Sequence, residues 1–358
     1  MAWIAGPRTL EEYGRILQPL AVGLLDELVE LTAICPQTAD VERLPSPPVR
    51  ILRYGRLNWW AFWEASAMEE LASQVAQGGI QLLHALDASA AGLAERLSRE
   101  TGVPYLVWSY DLGDGRRLAR LKHPPSALLA ASSGIQKDLR RRRIVPEGRV
   151  HLLRPGVYQV RHASCFTQPQ YSITLVAGGR LDDAKACQAV VRAFAEVAER
   201  KYDCAYFILG AGRAERAVRS LAGKLGLRAD LAFADWQAHW QLEEIFKAAD
   251  LYVAIAPQKD VDARCLLAMA AGVPILSPGA GASDFLIEGK TAVFYKRGDE
   301  ADLALKLVHF LEDRAAARTL ADGALDYLRE QHTPAGMVSR LAAVYRDLAG
   351  PGEGETVR

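Results

Sequence analysis

Apolar and polar positions along the chain follow two alternating rhythms. Short apolar runs occur at residues 28–35, 49–52, 80–83, 105–108, 127–131 and 150–153, and residues 1–5 add a further candidate. Between them, at 10–25, 60–77, 90–101 and 134–143, apolar residues recur three and four positions apart. The first rhythm predicts strands and the second amphipathic helices. Their alternation predicts parallel strands joined by crossover helices. Residues 161–170 show no periodicity and read as a linker. The pattern then restarts, with strands expected at 172–177, 204–209, 231–234, 251–255, 273–276 and 293–295. Helices are expected at 185–200, 214–225, 240–249, 264–271, 300–312, 315–331 and 335–348. The fold class is therefore α/β, with two doubly wound, Rossmann-like domains expected to face a cleft. The boundaries read as 1–163 for the first domain and 164–336 for the second. Residues 337–358 read as a helix returning to the first domain, followed by a disordered Gly- and Glu-rich tail.

Composition narrows the function classes. Half of the 358 residues are hydrophobic, 24% are charged and the formal net charge is zero. That is a globular composition, with no global mark of nucleic-acid binding. No apolar run reaches the roughly 18–20 residues of a membrane span, and the N-terminus lacks the pattern of a signal peptide. The five cysteines are widely spaced, with no CxxC and no Cys/His cluster. This argues against structural zinc and for reduced thiols in the cytoplasm. Two local patches stand out: the run Arg140–Arg143, and the cluster Trp59, Trp60, Phe62 and Trp63. The arginines suit a helix C-terminus and the aromatics suit core packing. For the aromatics the alternatives are a sugar-ring platform lining the cleft, a partner surface or a membrane interface, and for the arginines contact with acidic lipid headgroups at the inner face of a membrane.

Doubly wound sheets bind ligands beyond the carboxyl ends of their strands, so the loops after each strand hold the candidate chemistry. In "VAGGRLDDAKA", Gly178 and Gly179 permit close backbone approach, and Arg180 and Lys185 sit near a helix N-terminus, a combination that suits a diphosphate. "LGAGRAERA" contains only G-x-G, with Glu215 at the third glycine position, so Gly210 and Gly212 read as a strand-to-helix turn and not as a dinucleotide site. In the first half, His84 and Asp87 follow one strand and Tyr110 and Asp111 follow another. His84 also reads as a core histidine. No G-x-S-x-G elbow, P-loop or metal-ligand spacing occurs.

Taken in order, "GGRLDDAKA", "FILGAGRAERAVRSLAGKLGL", "AMAAGVPIL" and "GASDFLIEGKTAVFYKRGDEADLA" resemble the landmarks of family 4 glycosyltransferases, and the resemblance extends over residues 80–348. It implies the GT-B architecture and retaining transfer from a nucleotide-diphosphate sugar, without a metal or other cofactor. The acceptor would be a glycan or small molecule. Arg180 and Lys185 fall on the family's diphosphate-binding pair, Gly179, Gly210 and Gly212 on donor-side turns, and Gly272 and Pro274 on the signature's helix end. His84, Asp87, Tyr110 and Asp111 would line the acceptor side. The chain departs from the family at three positions. Lys259 and Leu267 replace its two glutamates, and Tyr110 replaces a histidine. Asp260 or Asp262 is expected to take over a sugar-hydroxyl contact, and Lys259 to add a phosphate contact. The departures also admit an alternative, a noncatalytic protein that binds a nucleotide or glycan, or serves as a partner subunit for an active transferase.

Overall fold

A computed structural model describes residues 1–39, 50–55, 63–159, 172–227, 230–234, 239–255 and 259–349. The expected linker at 161–170, residues Trp59, Trp60 and Phe62, the side chain of Trp63, and the tail at 350–358 lie outside the described residues. The chain divides into two units. The first comprises Met1–Gly156, Lys259–Val261 and His332–Arg358; the second comprises Val157–Gln258 and Asp262–Gln331.

The first unit contains β1 (Ala2–Ile4), α1 (Pro7–Asp26), β2 (Thr32–Pro36), β3 (Arg50–Tyr54), α2 (Trp63–Gln77), β4 (Leu83–Ala85) and α3 (Ala91–Thr101). It continues through β5 (Tyr105–Ser109), α4 (Asp114–Leu118), β6 (Ala127–Ala130), α5 (Ser133–Arg142) and β7 (Val150–Leu152). The second unit contains β8 (Ile173–Gly178), α6 (Ala184–Glu199), β9 (Cys204–Leu209), α7 (Glu215–Lys224), β10 (Leu231–Ala234), α8 (His239–Ala248) and β11 (Leu251–Ala254). It ends with α9 (Ala263–Ala270), β12 (Ile275–Ser277), β13 (Val293–Phe294), α10 (Glu300–Glu312) and α11 (Arg314–Gln331). The last helix, α12 (Pro334–Ala349), belongs to the first unit, where it packs on α1.

Among the described residues the first sheet has the order β3-β2-β1-β4-β5-β6-β7 and the second β10-β9-β8-β11-β12-β13. Neighbouring strands run parallel in both. Helices on both faces account for the unbroken apolar strands. Every residue of β5 and of β6 is buried, and α6 buries Val190, Val191 and Phe194 against β8 and β9. The strand order reverses between β1 and β4 in one sheet and between β8 and β11 in the other. Such switch points open a crevice beyond the strand ends. No helix among the described residues is long and apolar enough to cross a membrane.

Helix α4 (Asp114–Leu118) falls where no element was expected, and three strands differ in position from the sequence expectation. The strand expected from residue 28 starts at Thr32, because Leu28 takes a left-handed conformation (φ 60°) and Val29 N–H closes α1 on the Leu24 carbonyl. The strand expected at 80–83 is Leu83–Ala85, displaced along a run, residues 80–86, that is apolar apart from Gln81 and His84. The strand expected from residue 273 starts at Ile275. Gly272 (φ 76°) ends α9, and Val273 N–H still donates to the Ala268 carbonyl.

Candidate functional site

In the first unit, a pocket of about 150 Å³ opens at the β1/β4 switch point. Gly6 caps α1 and Pro7 opens it, an arrangement that suits a first helical turn whose N–H groups lack partners. This turn and the next place Thr9, Glu12 and Tyr13 on the wall. The loop after β4 contributes Asp87 and Ser89, and the loop after β5 contributes Tyr110, Asp111 and Asp114. Arg117 on α4 and Asp260 complete the polar lining.

Three of the carboxylates are fixed by backbone donors. One Asp87 oxygen accepts from the N–H groups of Ser89 and Ala90, the latter at 3.1 Å. One Asp111 oxygen accepts from Gly113 N–H. A single oxygen of Asp114 accepts from Ser109 Oγ (2.9 Å) and from the N–H groups of Tyr110 (3.1 Å) and Asp111 (3.0 Å), and so holds that loop in place. Burial pushes the Asp114 carboxyl up to about 6, against the pull of its hydrogen bonds and with help from the negative charges of Asp111 and Asp87. The Tyr110 ring stacks on Tyr13, with centroids 4.0 Å apart, and touches Trp108. Its phenol is held far above its ordinary range, first by burial and then by Asp87. Asp111 and Asp260 face each other in an isolated antiparallel bridge. Around it Leu112 N–H donates to the Lys259 carbonyl (2.9 Å) and Val261 N–H to the Tyr110 carbonyl (2.8 Å). The Tyr13 hydroxyl donates to the Val261 carbonyl (3.1 Å).

Asp87, Tyr110, Asp111 and Asp260 thus come together, whereas His84 does not line this pocket. It is fully buried in β4, with Nδ1 2.6 Å from the Tyr345 hydroxyl, which also accepts from Trp3 Nε1 (2.9 Å). Burial lowers its pKa to about 3, so the imidazole is neutral. It is a core histidine. Sequence reasoning missed Thr9, Glu12, Tyr13, Ser89, Asp114 and Arg117. The available signal was the Gly-Pro helix start directly after the first strand.

In the second unit, the loops after β8 and β9 interlock. Gly179 N–H donates to the Leu209 carbonyl (3.1 Å), Leu181 N–H to the Ala211 carbonyl (3.1 Å) and Ala214 N–H to the Leu181 carbonyl (2.7 Å). A Cβ on Gly210, whose φ is 139°, would stand 2.1 Å from the Gly179 carbonyl oxygen, and one on Gly212 would stand 2.5 Å from the Leu181 carbonyl. Only glycine fits at either position, and what these two glycines admit is the neighbouring backbone. Arg180 follows in the same loop, half-exposed, with its guanidinium on Asp182 at 2.8–2.9 Å. Asp183 caps α6 by accepting from Ala186 N–H (3.1 Å), and Arg297 pairs with its other oxygen. Lys185 lies in the first turn, its aliphatic stem against Gly298. Two cations therefore flank a helix N-terminus beyond the end of a parallel strand, which is favourable ground for an anion.

The charges before α9 divide. Lys259 is exposed and Asp260 lines the first unit's pocket. Asp262 is buried as the helix cap and pairs with Arg264 Nε at 2.8 Å, so the sequence expectation of a sugar contact from Asp262 gives way to a structural role. Leu267 is half-buried on α9. Three arginines of the Arg140–Arg143 run are tied down. Arg141 and Arg142 pair with Asp138, and Arg140 reaches Glu147 and the Val150 carbonyl. Among the described residues no cluster of His, Cys, Asp and Glu has the geometry to hold a metal ion.

The fold, two parallel-sheet α/β units, is shared with solved glycosyltransferase structures. Residues 172–313, within the second unit, match the family model Glycosyl transferases group 1. The chain is 24% identical to D-inositol 3-phosphate glycosyltransferase of Corynebacterium diphtheriae over 58% of its own length and 50% of the relative's. It is 25% identical to the enzyme of that name from Nocardia farcinica over 89% of this chain and 73% of the other. The chain thus spans about half the length of the first of these relatives and about three-quarters of the second. In fold it is similar to Anabaena Alr3699/HepE, solved in complex with UDP and glucose, with a TM-score of 0.76 at 13% identity, covering 96% of this chain and 98% of that one.

Proposed function

We propose that the protein is an active glycosyltransferase that moves a sugar from a nucleotide-diphosphate sugar to a hydroxyl of its acceptor, with retention of configuration and without a metal or other cofactor. The observation that carries this reading is the placement of Arg180 and Lys185 beside the N-terminus of α6, within the stretch that matches the glycosyltransferase model. Both cations and the helix N–H groups stabilise the diphosphate as charge develops on the departing group. Arg180 exchanges its exposed pairing with Asp182 for the diphosphate, at small cost because such surface pairs are weak. Leu267 replaces a ribose-binding carboxylate with an apolar contact, so donor recognition rests more heavily on the diphosphate. The UDP and glucose held by the Anabaena protein and the names of the inositol-phosphate relatives support a nucleotide-sugar donor and a polyhydroxylated acceptor. The acceptor sits in the pocket of Thr9, Asp87, Tyr110 and Asp111.

The test is nucleoside diphosphate release from UDP-, GDP-, ADP- and dTDP-sugars. Release from one donor class, lost in Arg180→Ala/Lys185→Ala, supports the reading. No release from any donor, with or without added sugars, contradicts it.

A further inference from the structure

The turn between β13 and α10, residues 296–299, meets the N-terminus of α6 at two points within the second unit. Gly298 is the first. A Cβ built there would stand 3.6 Å from both Cγ and Cδ of Lys185 and 3.3 Å from its Cε, so the lysine stem lies across bare backbone. A side chain at this position would displace the end of the lysine and move its ammonium group. Arg297 is the second. It pairs with Asp183 Oδ2, while Asp183 Oδ1 accepts from Ala186 N–H (3.1 Å) and caps α6. These contacts, the cap before the arginine, hold the Asp183 carboxyl below its usual range, so it is ionised. An ionised carboxylate at this helix end repels a second anion unless a cation cancels its charge. The turn is itself held from both sides. Tyr295, 4% exposed, donates its hydroxyl to the Ala254 carbonyl at the end of β11 (2.7 Å). Lys296 N–H donates to Asp302 (2.7 Å), and Asp299 caps α10 by accepting from Asp302 N–H (3.0 Å). Gly298 completes the turn in a left-handed conformation (φ 73°), which glycine adopts without a steric penalty.

We propose that the turn at 296–299 is a positioning element of the donor site: Gly298 sets the reach of Lys185, and Arg297 cancels the Asp183 charge that would otherwise repel the donor diphosphate. The inference rests on the reading of Arg180 and Lys185 as diphosphate ligands. Gly298 and Arg297 act through Lys185 and Asp183, and neither has to touch the donor.

Titration calorimetry with UDP, GDP, ADP, dTDP, the matching nucleosides and pyrophosphate tests this. Gly298→Ala should weaken binding of the nucleoside diphosphate that wild type takes, and of pyrophosphate, by about tenfold, the size of one charge-assisted contact. Binding of the nucleoside should not change. In a Lys185→Ala background Gly298→Ala should have no further effect, because residues that act through one another are not additive. Gly289→Ala controls for backbone strain, since Gly289 has a similar φ (71°) with open space around it, and it should leave binding unchanged. Arg297→Gln should weaken diphosphate binding several-fold, Arg297→Lys should restore it, and Asp183→Asn should make Arg297→Gln silent. The Arg297 series decides alone where Gly298→Ala fails to fold. A Gly298→Ala effect no larger than that of Gly289→Ala, or equally large without Lys185, overturns the role of Gly298. Equal binding by Arg297→Gln and wild type overturns that of Arg297. Diphosphate binding that is lost in Arg180→Ala/Lys185→Ala but indifferent to both turn residues overturns this inference and leaves the donor site standing. No binding of any nucleotide or pyrophosphate to wild type overturns both.

Discussion

Asp262 holds Arg264 twice through one oxygen, which accepts from the backbone N–H at 3.0 Å and from the guanidinium Nε at 2.8 Å. The two side chains are only 5% and 12% exposed. Burial opposes the arginine's charge, and Asp262 more than offsets it. The crowd of charges before α9 thus has a structural half, Asp262 with Arg264. Asp262→Ala removes a helix cap and one partner of a buried cation. Breaking one partner of a buried pair costs about 3–5 kcal/mol. Urea denaturation should show that loss, and Asp262→Asn, which keeps an acceptor for the cap, should lose less.

Tyr345 joins two buried side chains that have no other use for their facing nitrogens, Trp3 Nε1 and His84 Nδ1. Tyr345→Phe leaves both without that partner. The expected cost is about 1–3 kcal/mol. Because His84 is a core group and not a site group, nucleotide binding by the folded variant should match wild type. A loss of binding at unchanged stability would return His84 to the site.

Asp114 gives the protein a pH dependence of definite sign. Its carboxyl is raised from 3.8 to about 6, so between those values the folded chain holds a proton that the unfolded chain has released. Its contribution to stability therefore grows as pH falls from above 6 toward 4, and fades as pH rises through 6. The difference in melting temperature between wild type and Asp114→Asn, followed from pH 4 to pH 7, should change with that sign. A pH-independent difference would show that Asp114 titrates normally.

The parallel sheets were legible because buried strands and amphipathic helices have different periods, and the alternation alone excludes a hairpin-built sheet. Strand ends were less legible. Residues 80–86 are apolar apart from Gln81 and His84, and pairing with Ala2–Ile4 and Tyr105–Val107 is what selects Leu83–Ala85. Arg180 and Lys185 were found because glycines, cations and a helix start lie within a few residues. Thr9, Ser89 and Asp114 were not, because the chain order of β1, β4 and β5 separates residues that the sheet places side by side. Asp262 was visible as a charge but not as a cap, since its pairing with Arg264 depends on the turn between them.

The most direct test of the account is a thermal-shift series with UDP, GDP, ADP and dTDP on wild type and Arg180→Ala/Lys185→Ala. A ligand at 100 times its dissociation constant adds about 2.7 kcal/mol of stability, which is readily seen. The account predicts a shift with at least one nucleotide in wild type and its loss in a double variant that melts normally without ligand. A shift that survives in the double variant, or none with any nucleotide, would contradict the placement of a donor diphosphate at the N-terminus of α6.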